Sequence, residues 1–133
     1  MKASELMQGN IVLYEYEGQK TLARVVEIYR NSVLVEDISG EYEPIEIDED
    51  KIFPVELTPE ILEKNGWECF DTYGKYSHYR HPKAPFGILR RKEGGYTIEV
   101  DAVKGGAVFL FILYVHQLQH FLRLCGIEKE ITI

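Results

Sequence analysis

Short runs of β-branched and aromatic residues fill the first half of this chain, recurring at intervals of roughly ten positions, and a turn residue interrupts each one. Residues 9–16 (GNIVLYEY), 21–29 (TLARVVEIY), 33–37 and 42–47 are such runs. Glu17-Gly18-Gln19, Asn31-Ser32 and Ser39-Gly40 separate them. Gaps this short leave no room for a crossover helix, so the strands must pair antiparallel.

The pattern predicts a small antiparallel β-barrel over residues 1–53, of the Src-homology-3 or Tudor type. Such barrels are binding scaffolds more often than enzymes, and the shape alone names no ligand. Asp48-Glu49-Asp50-Lys51 is an acidic connector, and residues 52–57 read as a further strand. Pro54 confines that strand to an edge or a strand end.

The clearest helix start follows. Thr58 caps, Pro59 takes the first helical position, and Glu60 adds negative charge to the first turn. Ile61 and Leu62 face inward, Asn65-Gly66 ends the helix, and Trp67 is expected to pack on it. Four strands are then expected at 76–80, 86–91, 96–100 and 108–113, with turns at Glu93-Gly94-Gly95 and Lys104-Gly105-Gly106. The apolar run 107–113 reads as a sheet centre or a dimer seam, which leaves the oligomeric state open.

Residues 114–125 form the last helix. Val115, Leu118, Phe121, Leu122 and Cys125 make its apolar stripe, and Gly126 stops it. The tail IEKEITI alternates apolar and charged residues and reads as a short edge strand. The expected fold is therefore α+β: a barrel-like subdomain at 1–53, then a helix, an antiparallel meander and a capping helix at 54–133.

Three segments, MKASELMQGNIVLY, LTPEILEKNGW and YVHQLQHFLRLCGI, carry a resemblance over nearly the full chain. They resemble a family of small Bacteroidetes proteins of unassigned function, found in phage-like or conjugative mobile elements. The resemblance implies an N-terminal small barrel and a C-terminal α+β part, and it carries no activity or catalytic residue. The chain departs from it after Gly126, where IEKEITI stands in place of an ending similar to TGEEL.

The N-terminal MKASELMQGN has no apolar core of a signal peptide, and the run 107–115 is far short of the ~20 residues that span a bilayer. Cys69 and Cys125 stand apart, with no CxxC or Cys/His cluster. A reducing, cytoplasmic setting is expected, with both thiols serving as small apolar residues and no membrane partner.

No catalytic set, cofactor motif or metal set emerges. His116 and His120 have the i, i+4 spacing of a zinc-binding helix but lack the glutamate of the metalloprotease motif and a third ligand. They read more plainly as polar-face residues. Together with Gln117 and Gln119 they form a candidate partner-binding face for another protein. A hydrolase-type site drawing on His78, His81, His116 or His120 at the subdomain seam is a further alternative. The glycine-containing turns lack the strand–loop–helix context of a phosphate loop.

Charge is more informative. The formal net charge is −7, which disfavours generic binding to nucleic acid or anionic membrane. Its distribution is uneven. Residues 36–63 hold eleven acids and one base, Lys51, an array able to present carboxylates where a DNA-binding protein meets phosphates. Residues 72–92 hold six bases and no acid. Among them Lys75, Tyr76, Tyr79, Arg80, Lys83, Arg90, Arg91 and Lys92 make a candidate surface for single-stranded nucleic acid, with rings for bases and cations for phosphates. The plainer reading is a solvated or internally docked basic face. The expected role is a non-enzymatic binding or adaptor module with a protein partner, and nucleic-acid binding is the alternative.

Overall fold

The computed structural model describes residues 1–73, 76–102, 106–127 and 130–133, and the side chains of all these except 73, 101–102 and 106–109. The chain divides into two compact units, Met1–Val55 and Glu56–Ile133. Among the described residues they make an α+β protein of two antiparallel five-stranded sheets and two α-helices.

The first unit holds β1 (Ile11–Tyr16), β2 (Gln19–Ile28), β3 (Ser32–Asp37), β4 (Ile45–Asp48) and β5 (Ile52–Pro54), in the order β4-β3-β2-β1-β5. Glu17 and Gly18 both have positive φ, as a two-residue hairpin turn requires, and Tyr16 pairs directly with Gln19 across it. A bulge in β2 between Val25 and Glu27 adds bend. No ladder joins β4 to β5 among the described residues, so the sheet is a half-barrel. It closes over a core of Ala3, Leu6, Val12, Ala23, Val25, Val33, Val35, Ile47 and Ile52. Pro54 sits on the edge strand, where its missing N–H costs no ladder bond. Pro44 precedes β4, which begins three residues later than the composition suggested.

The second unit opens with α1 (Pro59–Lys64). Thr58 Oγ1 accepts a hydrogen bond from the Ile61 N–H at 3.2 Å and caps it. The meander follows: β6 (Glu68–Tyr73), β7 (Tyr76–Arg80), β8 (Phe86–Arg91), β9 (Tyr96–Ala102) and β10 (Gly106–Ile112), then α2 (Val115–Leu124). The sheet order is β10-β9-β8-β7-β6. One face buries Tyr79, Phe86, Ile88, Tyr96 and Ile98. Helix α2 meets that face through Phe121, edge-on to Phe86 at 4.7 Å, and Trp67 lies 5.4 Å from the same ring.

Several expectations change here. The described residues after Trp67 form five strands, not four: β6 carries too many polar residues (ECFDTY) to show an apolar alternation, but its ladder with β7 holds it. Strand β10 is an edge strand rather than a sheet centre, which leaves Leu110 and Phe111 exposed. The described part of the tail is not a strand. Ile131 is buried and Asn65 grips Thr132 instead, donating from Nδ2 to its carbonyl and accepting its N–H on Oδ1, both at 2.7 Å. Cys69 and Cys125 are exposed free thiols, not apolar filling, because one lies on an edge strand and the other at a helix C-cap. Of the turn expected at 104–106, the first two residues lie outside the described residues, and Gly106 already belongs to β10. No helix among the described residues is long and apolar enough to cross a membrane.

Candidate binding face of the second sheet

Directly paired residues of an antiparallel ladder point to the same side, so the register of the meander sorts its side chains into two faces. Tyr79, Ile88 and Ile98 form a row on the helix side, and Arg90 pairs with Tyr96 on that side too. The opposite, open face carries the rows Arg80–Gly87–Glu99 and His78–Leu89–Thr97–Phe111, with Tyr76 beside Arg91.

A bulge between Cys69 and Asp71 adds Phe70 to this open face. A bulge re-aims a side chain by giving one strand an extra residue. The Phe70 ring lies 3.8 Å from the Arg80 guanidinium carbon and edge-on to His78 at 5.7 Å. Across the sheet, the Arg91 guanidinium sits 5.9 Å from the Phe111 ring. That ring lies over Gly95, where a Cβ would fall 2.5 Å from Phe111 Cζ; with φ at +82°, the position accepts only glycine without strain. Phe70 is 50% exposed, Phe111 52% and Tyr76 42%. Phe70, Arg80, Gly87 and Glu99 line one end of a shallow groove of about 420 Å³.

The residues expected to form a nucleic-acid surface divide accordingly. Tyr76, Arg80 and Arg91 share the open face, whereas Lys92 lies in the β8–β9 turn, beyond the ladder. Tyr79 does not belong to it: 4% exposed, it packs on the helix side, and burial raises its hydroxyl pKa. Arg90 is exposed on the helix side, where its charge partly offsets the effect of burial on Tyr96, whose hydroxyl is pushed up to about 12. Lys83 is in the β7–β8 loop, and Lys75 lies outside the described residues. Phe70, Phe111 and Leu89 were not anticipated. Alternation with a period of two would have separated Tyr76 from Tyr79, but nothing local announces the bulge at Phe70.

The helix face expected to bind a partner is largely used internally. His116 is 5% exposed, and burial lowers its pKa to about 4. Gln117 Oε1 accepts from the N–H groups of Leu113 and Tyr114, at 2.8 and 3.1 Å. Gln119 and His120 are half-buried, and burial lowers the pKa of His120 too. The His116 and His120 rings stand 5.6 Å apart, and no third His, Cys, Asp or Glu joins them among the described residues. The four histidines do not converge. His78 is on the open face, whereas His81 lies against Trp67 on the helix side, with Nδ1 accepting the Lys83 N–H.

The acidic block of the first unit is partly committed as well. Glu49 accepts from the Ala3 N–H at 2.9 Å, which holds its carboxyl below the usual range, and Glu46 accepts from Ser32 Oγ at 2.6 Å. In comparisons with known proteins, no family model, no curated protein and no solved structure matches this chain.

Proposed function

We propose that this chain is a non-enzymatic binding module, of the mobile-element kind its sequence resembles, and that it holds its ligand on the open face of the second sheet. The observation that supports this reading is the exposure of Phe70, Tyr76 and Phe111 on that one face. A half-exposed aromatic side chain forgoes about 1 kcal/mol, roughly half of what full burial would contribute. Three on one face is a cost that ligand binding offsets and folding does not. A partner on α2 is disfavoured, because His116 and Gln117 are already engaged there.

The first unit, which we read as a Src-homology-3-like or Tudor-like half-barrel, supplies a second, acidic surface. We read the compartment as cytoplasmic, in keeping with two exposed thiols that remain unpaired.

Urea denaturation of Phe70→Ser and Tyr76→Ser tests the reading without knowledge of the ligand. Rings kept for a ligand contribute little to stability beyond their half-burial, so each variant should stay within about 1 kcal/mol of the parent. Losses of about 2 kcal/mol or more in both would mean that the rings serve the fold, and the binding-face reading would fail.

A further inference from the structure

Resting on that reading, we infer that the ligand of the open face is single-stranded nucleic acid. The face repeats one arrangement at its two sides: a half-exposed ring with a guanidinium beside it, Phe70 with Arg80 and Phe111 with Arg91. At a strand spacing of roughly 4.8 Å, the four steps from β6 to β10 set the strands that carry the two rings about 19 Å apart, with Arg80 and Arg91 on the adjacent strands β7 and β8 between them. Beside Arg80 the surface is low at Gly87, which has no side chain and lines the shallow groove. A ligand that suits such a face alternates flat rings with anions along an extended chain. Single-stranded DNA or RNA does so, whereas a duplex hides the faces of its bases.

The guanidinium groups are available for phosphate. Glu68 is opposite Arg80 in the ladder, yet Arg80 lies over the Phe70 ring. Among the described residues no carboxylate is within ion-pair distance of Arg80, Arg91 or Lys92. The field is nevertheless mixed, since Glu68, Asp71 and Glu99 share the face. Those carboxylates lie toward the β6 side and at Glu99. Phosphates are therefore held best beside Arg91, and ring stacking carries more of the affinity at Phe70. Removing the charge of Glu99 should then tighten binding.

The test is fluorescence anisotropy on the full chain with labelled oligothymidylate, labelled oligouridylate, a duplex of the same length and a labelled polyglutamate. Single strands should bind and the duplex should bind at least tenfold more weakly. With about two phosphates neutralised, by Arg80 and Arg91, the logarithmic salt slope should be roughly −1.4, or about a sevenfold loss between about 50 and 200 mM salt. Phe70→Ala should weaken single-strand binding by about tenfold or more. Arg91→Ala should flatten the salt slope by about 0.7, and Glu99→Gln should raise affinity. Absence of binding to any single strand at low salt would overturn the inference. So would equal affinity for polyglutamate, which would mark an acidic-protein site, or unchanged binding by Phe70→Ala and Arg91→Ala. Such a failure combined with unchanged stability of Phe70→Ser would remove the ligand class and leave the binding face standing.

Discussion

The two sheets have five antiparallel strands each, yet they find their cores differently. The first curls over its own face and takes Ala3 and Leu6 from the segment before it. The second packs one face against α2 and Trp67, and the other carries the half-exposed rings Phe70, Tyr76 and Phe111. The charge separates in the same way. Met1–Val55 has twelve acids against five bases, whereas Glu56–Ile133 has ten of each, so the first unit accounts for the whole net charge of −7. A sheet that must be its own core turns its inner face inward, and its surface mixes an excess of carboxylates with separate exposed rings at Tyr16, Tyr29 and Tyr42. A sheet with a helical cover can leave one face open and place rings and cations on it. The overall acidity of the chain is therefore a poor guide to what the second unit can bind.

The largest expected effect sharpens the contrast between covered and open faces. Trp67 is almost fully buried, beside Phe86 and His81. Trp67→Ala should cost about 3–5 kcal/mol in urea denaturation. A cost below about 1 kcal/mol would mean that the helix side is not the core of this unit.

Acid should distinguish the two units next. His116 has its folded-state pKa lowered to about 4 by burial, with the neighbouring His120 adding to the shift, against an ordinary 6.5. The unfolded chain therefore takes up the proton first as pH falls. Stability is complete above about 6.5 and declines progressively toward pH 4, by about 3 kcal/mol at most. Glu49 works in a lower window. Its depressed pKa stabilises the first unit above the ordinary value of 4.5, and that contribution is lost only as pH falls below it. Stability of the parent and of His116→Gln, followed from pH 7 to pH 4.5, checks this. The variant should show a flatter profile, and parallel profiles would exclude His116 as the source.

Much of this architecture is legible in the residues themselves. Thr58-Pro59-Glu60 announces α1, and Val115, Leu118 and Leu122 announce the buried stripe of α2. What escapes is anything decided by position within a sheet. The apolar composition of β10 suggests a centre, but the strand lies at the edge, and Phe111 thereby becomes a surface ring. Strand β6 has no apolar alternation to find, and the bulge that turns Phe70 outward depends on its pairing with β7. His116 adjoins the apolar stripe of α2, yet its burial is set by tertiary packing and not by helical periodicity alone. The basic and aromatic content of residues 72–92 was visible, but only the register separates the open-face Tyr76 and Arg91 from the helix-side Tyr79 and Arg90.

In one respect the units are alike, and this sets the third prediction. Each uses a buried asparagine to tie down an irregular segment: Asn10 Oδ1 accepts the Met7 N–H at 2.7 Å, and Asn65 pairs with both backbone groups of Thr132. Truncation to alanine leaves those groups without their partners, at about 1–3 kcal/mol each. Asn65→Ala should cost more than Asn10→Ala if this pairing dominates, because it releases two bonds to the tail rather than the one to Met7. The reverse order, read from urea midpoints, would place the weight of Asn10 in its other contacts.

The smallest effect has the opposite sign. Thr97 lies in the open-face row between Leu89 and Phe111, 4% exposed, and its hydroxyl has no hydrogen-bond partner within the protein. A buried hydroxyl without a partner costs free energy, whereas a methyl group of the same shape does not. Thr97→Val keeps the β-branch that suits a central strand, so it should raise stability, by up to about 1 kcal/mol. No comparable atom appears in the first unit among the described residues; its buried Ser32 hydroxyl is paired with Glu46. A fold under selection for stability alone would favour valine at position 97, and threonine is intelligible there if the open face serves something besides stability. A loss of stability in Thr97→Val would show that the hydroxyl is satisfied in solution, and the second sheet would then resemble the first in leaving no buried polar group unmet.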